Sequence, residues 1–83
     1  MFTGIIESLG IIVKTETVGS NLELWISCDF TEELRVDQSI AHNGICLTVV
    51  EIVSNTYRVT AIDETIHKTT IGSWKEGNKV NLE

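Results

Sequence analysis

Apolar and polar residues alternate with period two through much of this chain, the spacing of strands that bury one face. Leu22, Leu24, Ile26 and Cys28 alternate with Glu23, Trp25, Ser27 and Asp29. This predicts a half-buried strand, paired antiparallel across the Gly19-Ser20-Asn21 turn with the strand before it. That first strand is long and β-branched, carrying Ile5, Ile6, Ile11, Ile12, Val13, Thr15, Thr17 and Val18, with Gly10 placed for a bulge or sharp bend. Further strands are predicted over Ser39 to Asn43, Ile45 to Val53, Thr56 to Ile62 and Lys79 to Leu82, with Asn43-Gly44 and Ser54-Asn55 as turns. On the Ile45 to Val53 strand, Leu47, Val49 and Val53 form the better core face, which sends Cys46, Thr48, Val50 and Ile52 outward. Asp29 or Thr31 with acidic residues behind it suits a short helix through Thr31-Glu32-Glu33-Leu34, and Glu64 to Thr70 suits a second before Gly72.

Six short strands with turn signals and two cap-like helices imply an all-β fold, a small closed antiparallel barrel that leaves no free sheet edge. Pattern alone also fits a five-stranded OB-type barrel. The 83 residues make one domain, 1–83, with room for a single core. Proline is absent, where average usage of ~5% gives about four, so the turns must rest on Gly and Asn. A net charge of −6 with no Lys/Arg stripe argues against nucleic acid as a partner. The apolar runs are far shorter than the ~20 residues of a membrane span, and no export signal opens the chain, so no membrane partner and a cytoplasmic location are expected. Cys28 and Cys46 form no disulfide framework and no metal-ligand spacing, and no metal is expected.

Three segments carry a resemblance. They are Met1-Phe2-Thr3-Gly4-Ile5, Ala41-His42-Asn43-Gly44-Ile45-Cys46-Leu47-Thr48-Val49 and Asp63-Glu64-Thr65. In this order and spacing they resemble riboflavin synthase, and specifically the amino-terminal of the two similar barrel lobes in that enzyme. The resemblance implies a six-stranded Greek-key barrel. It also implies a shallow pocket for 6,7-dimethyl-8-ribityllumazine or riboflavin, walled by Gly4, Ile5 and Ile6, by Cys46, Leu47 and Thr48, and by Thr60, Ala61, Ile62, Asp63, Glu64 and Thr65. In that picture Ile5, Ile6, Ala61 and Ile62 form an apolar slot, main-chain groups read the uracil-like edge of the ring, and Thr48, Glu64 and Thr65 bond the ribityl hydroxyls.

The implied reaction is a dismutation in which two lumazines exchange a four-carbon unit, giving riboflavin and 5-amino-6-ribitylaminouracil, with no metal or redox cofactor. Proton loss from an acidic ring methyl and nucleophilic addition at a ring carbon belong largely to the substrate, so holding two rings face to face is the protein's main task. Ser39 and Cys46 match polar family positions near the reacting ring and are candidates for hydrogen bonding, proton relay or transient addition. Read from spacing alone, Cys46 also fits as a small apolar filler, and Glu64 as a solvated carboxylate at a helix start. His42 reads as a structural or surface histidine rather than a base, and His67 as an exposed helix residue. The resemblance further implies self-association, a dimer for one lobe alone and a trimer for a two-lobe parent. Two other readings compete: a lumazine- or flavin-binding antenna protein without turnover, and a noncatalytic barrel module for assembly.

Overall fold

A computed structural model of the chain describes residues 8–29, 31 and 34–82. The expectations for Gly4, Ile5 and Ile6 and for the Glu32-Glu33 turn lie outside those residues. The elements run β1 (Ser8–Val18), β2 (Asn21–Ser27), β3 (Ser39–His42), β4 (Ile45–Val53), β5 (Thr56–Ala61), α1 (Asp63–Lys68), a 3-10 turn (Ile71–Ser73) and β6 (Lys79–Leu82). The six strands close into an antiparallel barrel in the order β1-β2-β5-β4-β3-β6. β3, β4 and β5 follow one another as hairpins and β2 returns beside β5, which is a Greek key. The five-stranded alternative is thereby set aside.

Alternation places the core as the pattern predicts over most of the wall. Ile12, Leu24, Ile26, Ile40, Leu47, Val49, Tyr57, Val59, Val80 and Leu82 are buried, and Leu34 and Ile71 join them from the connections. Two predictions fail for one reason, the placing of bulges. The ladder between β4 and β5 shifts register between Val49 and Glu51, and the extra residue reverses the faces beyond it. Val53, expected inside, is 57% exposed, while Ile52, expected outside, packs against the core. On β1 the shift falls between Ile12 and Lys14, not at Gly10. Gly10 answers a different need: a Cβ there would lie 2.8 Å from Ile26 Cγ2 and 2.9 Å from Leu82 Cδ1, so the glycine lets β1 pass close over the core.

The closing contact of the barrel is short. β3 meets β6 through the pair His42↔Leu82, and Asn43 extends it. The Asn43 N–H donates to Asn81 O at 2.8 Å, and its side-chain Oδ1 accepts from the Asn81 N–H at 2.7 Å. Asn43 and Gly44 both have positive φ, 52° and 87°, the requirement of a tight two-residue hairpin turn. Asn is among the few residues that tolerate this conformation, and here its amide also completes the last rung of the wall.

Inside, His42 is fully buried. Its Nδ1 lies 2.9 Å from Ile40 O, which can only accept, so Nδ1 carries the proton. Nε2 then accepts from the Tyr57 hydroxyl at 2.7 Å. Burial drives the His42 pKa down to about 4, against an opposing pull from the Ile40 and Ile45 backbone, and burial likewise pushes the Tyr57 hydroxyl up. This agrees with a structural histidine and leaves no ring nitrogen free for chemistry.

Between pH 6.5 and about 4 the unfolded chain binds a proton that folded His42 refuses, so stability falls as pH drops through that window. Urea unfolding at pH 7 and pH 5 should show a loss of about 2 kcal/mol from this group, absent from the pH slope of His42→Gln.

Candidate functional site

Among the described residues, the register pairing between β4 and β5 covers only part of their length. Their pairing runs from Val53↔Thr56 to Val49↔Val59 and stops. Beyond that point, among the described residues, Ile45–Thr48 have register partners on β3, and Thr60 and Ala61 have theirs on β2. This unpaired stretch between β4 and β5 is the seam. Val49 turns its main chain toward the β3 side, where its N–H donates to Gln38 O and its carbonyl accepts from the Asp37 N–H, both at 2.8 Å. Successive residues of a strand point these groups to opposite sides, so the main-chain groups of Cys46 and Thr48 face the seam.

Of the predicted site residues, Cys46, Leu47 and Thr48 lie on the β4 side of this seam and Thr60, Ala61 and Ile62 on its β5 side, with Asp63, Glu64 and Thr65 following on α1. Cys46, Thr48 and Ser39 are exposed on the outer face, Ser39 lying directly across from Thr48. Cys46 is a free thiol in solvent and not a core filler; the buried cysteine is Cys28, held beside Thr31. On the other lip, Thr60 is half-buried and Ile62 is 55% exposed. Leu47 and Ala61 are committed to the core, so their side chains cannot line an outer slot. The chain then turns at Ile62 into α1, whose first residues Asp63 and Glu64 are exposed and whose Thr65 is half-buried. Glu64 accepts from Lys68 Nζ at 3.2 Å, an exposed pair that costs little to open. His67 pairs with Asp63 on the same exposed face, as expected of a helix histidine. The helix ends at Lys68, two residues short of the predicted Thr70, and Ile62 at its N-cap makes no side-chain cap bond.

One group escaped the sequence pattern. Glu23 falls on the polar side of the β2 alternation, yet is only 7% exposed. Its Oε1 accepts from Arg58 at 2.5 Å and from Thr60 Oγ1 at 2.8 Å, and Arg58 reaches on to Glu51 at 3.1 Å. These bonds hold the Arg58 guanidinium more firmly in its charged form. The cluster depends on cross-strand register, which period-two reading of a single strand does not carry. A separate hollow, lined by residues that include Thr17, Asn21, Leu22, Asp63 and Ile66, lies where α1 meets the β1–β2 turn.

The profile of the lumazine binding domain matches residues 3–83, nearly the whole chain and all of the seam. The chain belongs to the lumazine-binding domain family. It is 42% identical over 85 residues to riboflavin synthase of Photobacterium phosphoreum and 42% identical over 84 residues to that of Bacillus subtilis (strain 168), covering 100% of this chain and 39% of each relative. Riboflavin synthase of Saccharomyces cerevisiae is 35% identical over 91 residues. The chain thus spans about two-fifths of the length of these curated relatives. Among solved structures, LumP complexed with 6,7-dimethyl-8-(1'-D-ribityl) lumazine and LumP complexed with riboflavin each superpose with a TM-score of 0.90 at 34% identity, over 100% of this chain. The match spans 48% of the LumP chain in the first complex and 46% in the second.

The opposite burial of the two cysteines, Cys46 exposed and Cys28 buried, makes a direct test of the assigned faces. With the native chain, dithionitrobenzoate should titrate one thiol, that of Cys46, and reach Cys28 only in denaturant. Rapid reaction of both thiols in the native state would contradict the assigned faces.

Proposed function

We propose that this barrel is the lumazine-binding lobe of a riboflavin synthase, and that the β4–β5 seam is its ligand site. The parting of the strands beyond Val49↔Val59 carries the reading: it offers main-chain donors and acceptors beside the exposed Cys46, Thr48 and Ile62. A flat ring with a uracil-like edge needs that combination of edge hydrogen bonds and apolar cover. The ribityl chain is then held by hydrogen-bonding groups of Thr48 on β4 and of Glu64 and Thr65 on α1, with Asp63 alongside. Gly4, Ile5 and Ile6 form the third wall in this proposal. Leu47 and Ala61 contribute through their main chains, and the Thr60 hydroxyl through its remaining acceptor capacity, since its proton is given to Glu23.

In the proposed reaction, two molecules of 6,7-dimethyl-8-ribityllumazine exchange a four-carbon unit to give riboflavin and 5-amino-6-ribitylaminouracil, a transferase activity in the cytoplasm that needs no added cofactor. In this reading Ser39 and Cys46 hydrogen-bond the reacting ring or relay its proton. The two rings must lie face to face, so a second lobe completes the site, and this lobe on its own is proposed to pair with another copy. Riboflavin, lumazine and flavin mononucleotide are the ligands of the LumP complexes, which favours as a second reading a barrel that binds without turnover.

Fluorescence titration with riboflavin and the lumazine tests the site. Thr48→Val and Glu64→Ala should each weaken binding roughly three- to tenfold, the worth of one hydrogen bond. Tight binding unaltered by either change would place the site elsewhere.

Turnover tests the need for a second lobe. The 83-residue chain should bind lumazine but release riboflavin many orders of magnitude more slowly than a two-lobe synthase, because two copies of one lobe give both rings the same surroundings. Near-synthase rates from this chain alone would show that one lobe type suffices.

A further inference from the structure

The cluster around Glu23 sits at the point where β5 leaves β4, and that position gives it a role beyond holding the wall. Arg58 binds Glu23 on β2 and Glu51 on β4, so one guanidinium on β5 ties three strands together at the last paired rungs. Trp25 shares this face, with Lys14 Nζ 4.6 Å from its ring centroid and the Arg58 guanidinium carbon at 5.9 Å. Thr60 is the first residue past the rung Val49↔Val59, and its register partner on β2 is Glu23 itself. Past that rung, among the described residues, the register partners of β5 are on β2. A carboxylate largely withdrawn from water makes charge-assisted bonds of more than surface strength; one of them, to Arg58, anchors the last paired rungs and the other, to Thr60, lands on the lip of the seam.

We infer that Glu23 is a positioning residue: through Thr60 and Arg58 it fixes the β5 lip, so that the main chain of residues 60–62 stands at a set spacing from Cys46 and Thr48. The inference rests on the reading of the seam as the lumazine site. It does not make Glu23 a ligand contact, since its carboxylate is occupied by Arg58 and Thr60.

The test uses the full chain, with 6,7-dimethyl-8-ribityllumazine and riboflavin as probes and amide hydrogen exchange measured without ligand. Glu23→Leu should weaken both ligands about tenfold, while Glu23→Gln, which keeps an acceptor for Thr60, should stay within about threefold of the parent. Exchange in Glu23→Leu should speed up at residues 60–62 and 46–48 and stay slow at Leu24, Ile26 and Val59. A merely structural role would raise exchange across the whole barrel and gain nothing from Gln, and that result overturns the inference. So does parental affinity in Glu23→Leu. If Glu23→Leu does not fold, Thr60→Val removes the hydroxyl and keeps the shape, with the same local exchange expected and uniform exchange as the contrary result. A parent chain that binds neither compound would sink the seam reading and the inference with it, an outcome distinct from variants that match a binding parent.

Discussion

Every strand of a closed barrel needs hydrogen-bonding neighbours on both sides, because unpaired main-chain groups are costly once water is withdrawn and invite foreign strands where it is not. β4 meets this condition on its β3 side from Ile45 to Thr48, and on its β5 side only from Val49 onward. The departure is local and bounded. A bulge follows at once, between Val49 and Glu51, and resets the register so that the rest of the hairpin closes on Glu51↔Arg58 and Val53↔Thr56. The release of β5 and the twist that a bulge adds to its strand therefore belong to one device, which opens the wall at a chosen place without leaving a long free edge.

The interior explains how so small a barrel tolerates that opening. Among the described residues no buried side-chain nitrogen or oxygen lacks a partner. His42 and Tyr57 form the polar centre, joining β3 to β5 across the inside of the barrel through strands that are not neighbours in its wall. Thr31 does similar work at one end, where its hydroxyl lies 3.0 Å from Cys28 O and 2.9 Å from Asn55 O and so links the β2–β3 connection to the β4–β5 turn. Such bonds are directional, unlike the contacts among Ile, Leu and Val around them, and they tie strand positions together independently of the ladders.

Much of this architecture was legible in the sequence because period-two alternation and turn chemistry are local signals. The bounds of β4 and β6 match the predicted runs, and the three predicted hairpin turns form, with Gly19, Asn43, Gly44 and Ser54 in the left-handed conformation. What escaped was non-local. Nothing in Val49-Val50-Glu51 announces a bulge, so Val53 was assigned to the wrong face. Glu23 looked solvated because its partners Arg58 and Thr60 lie thirty-five and thirty-seven residues away. The candidate site follows the same division. The segments around Cys46 and Glu64 were recognised from motif, whereas the parting of β4 from β5 is a fact of pairing that no single segment contains.

A site built on that parting would be read chiefly by main-chain groups, and this has a consequence for how such a barrel can diverge. Main-chain donors and acceptors are placed by register, and register is set by which residues face the core, not by what stands on the outer surface. Outer positions near the seam, apart from the proposed ligand contacts at Ser39, Cys46, Thr48 and Ile62, are then free to change so long as the inward set, Leu47, Val49, Val59 and Ala61, keeps its volume and its alternation. That is consistent with a TM-score of 0.90 to LumP at 34% identity, where the fold is held closely while two residues in three differ. Beyond those contacts, the outer residues that escape this freedom are those whose side chains set the register or the spacing of the lips, and Glu23 and Asn43 are the two that the structure singles out on physical grounds. Each holds the wall where its ladder is weakest, Asn43 at the short β3–β6 closure and Glu23 where β5 has lost β4.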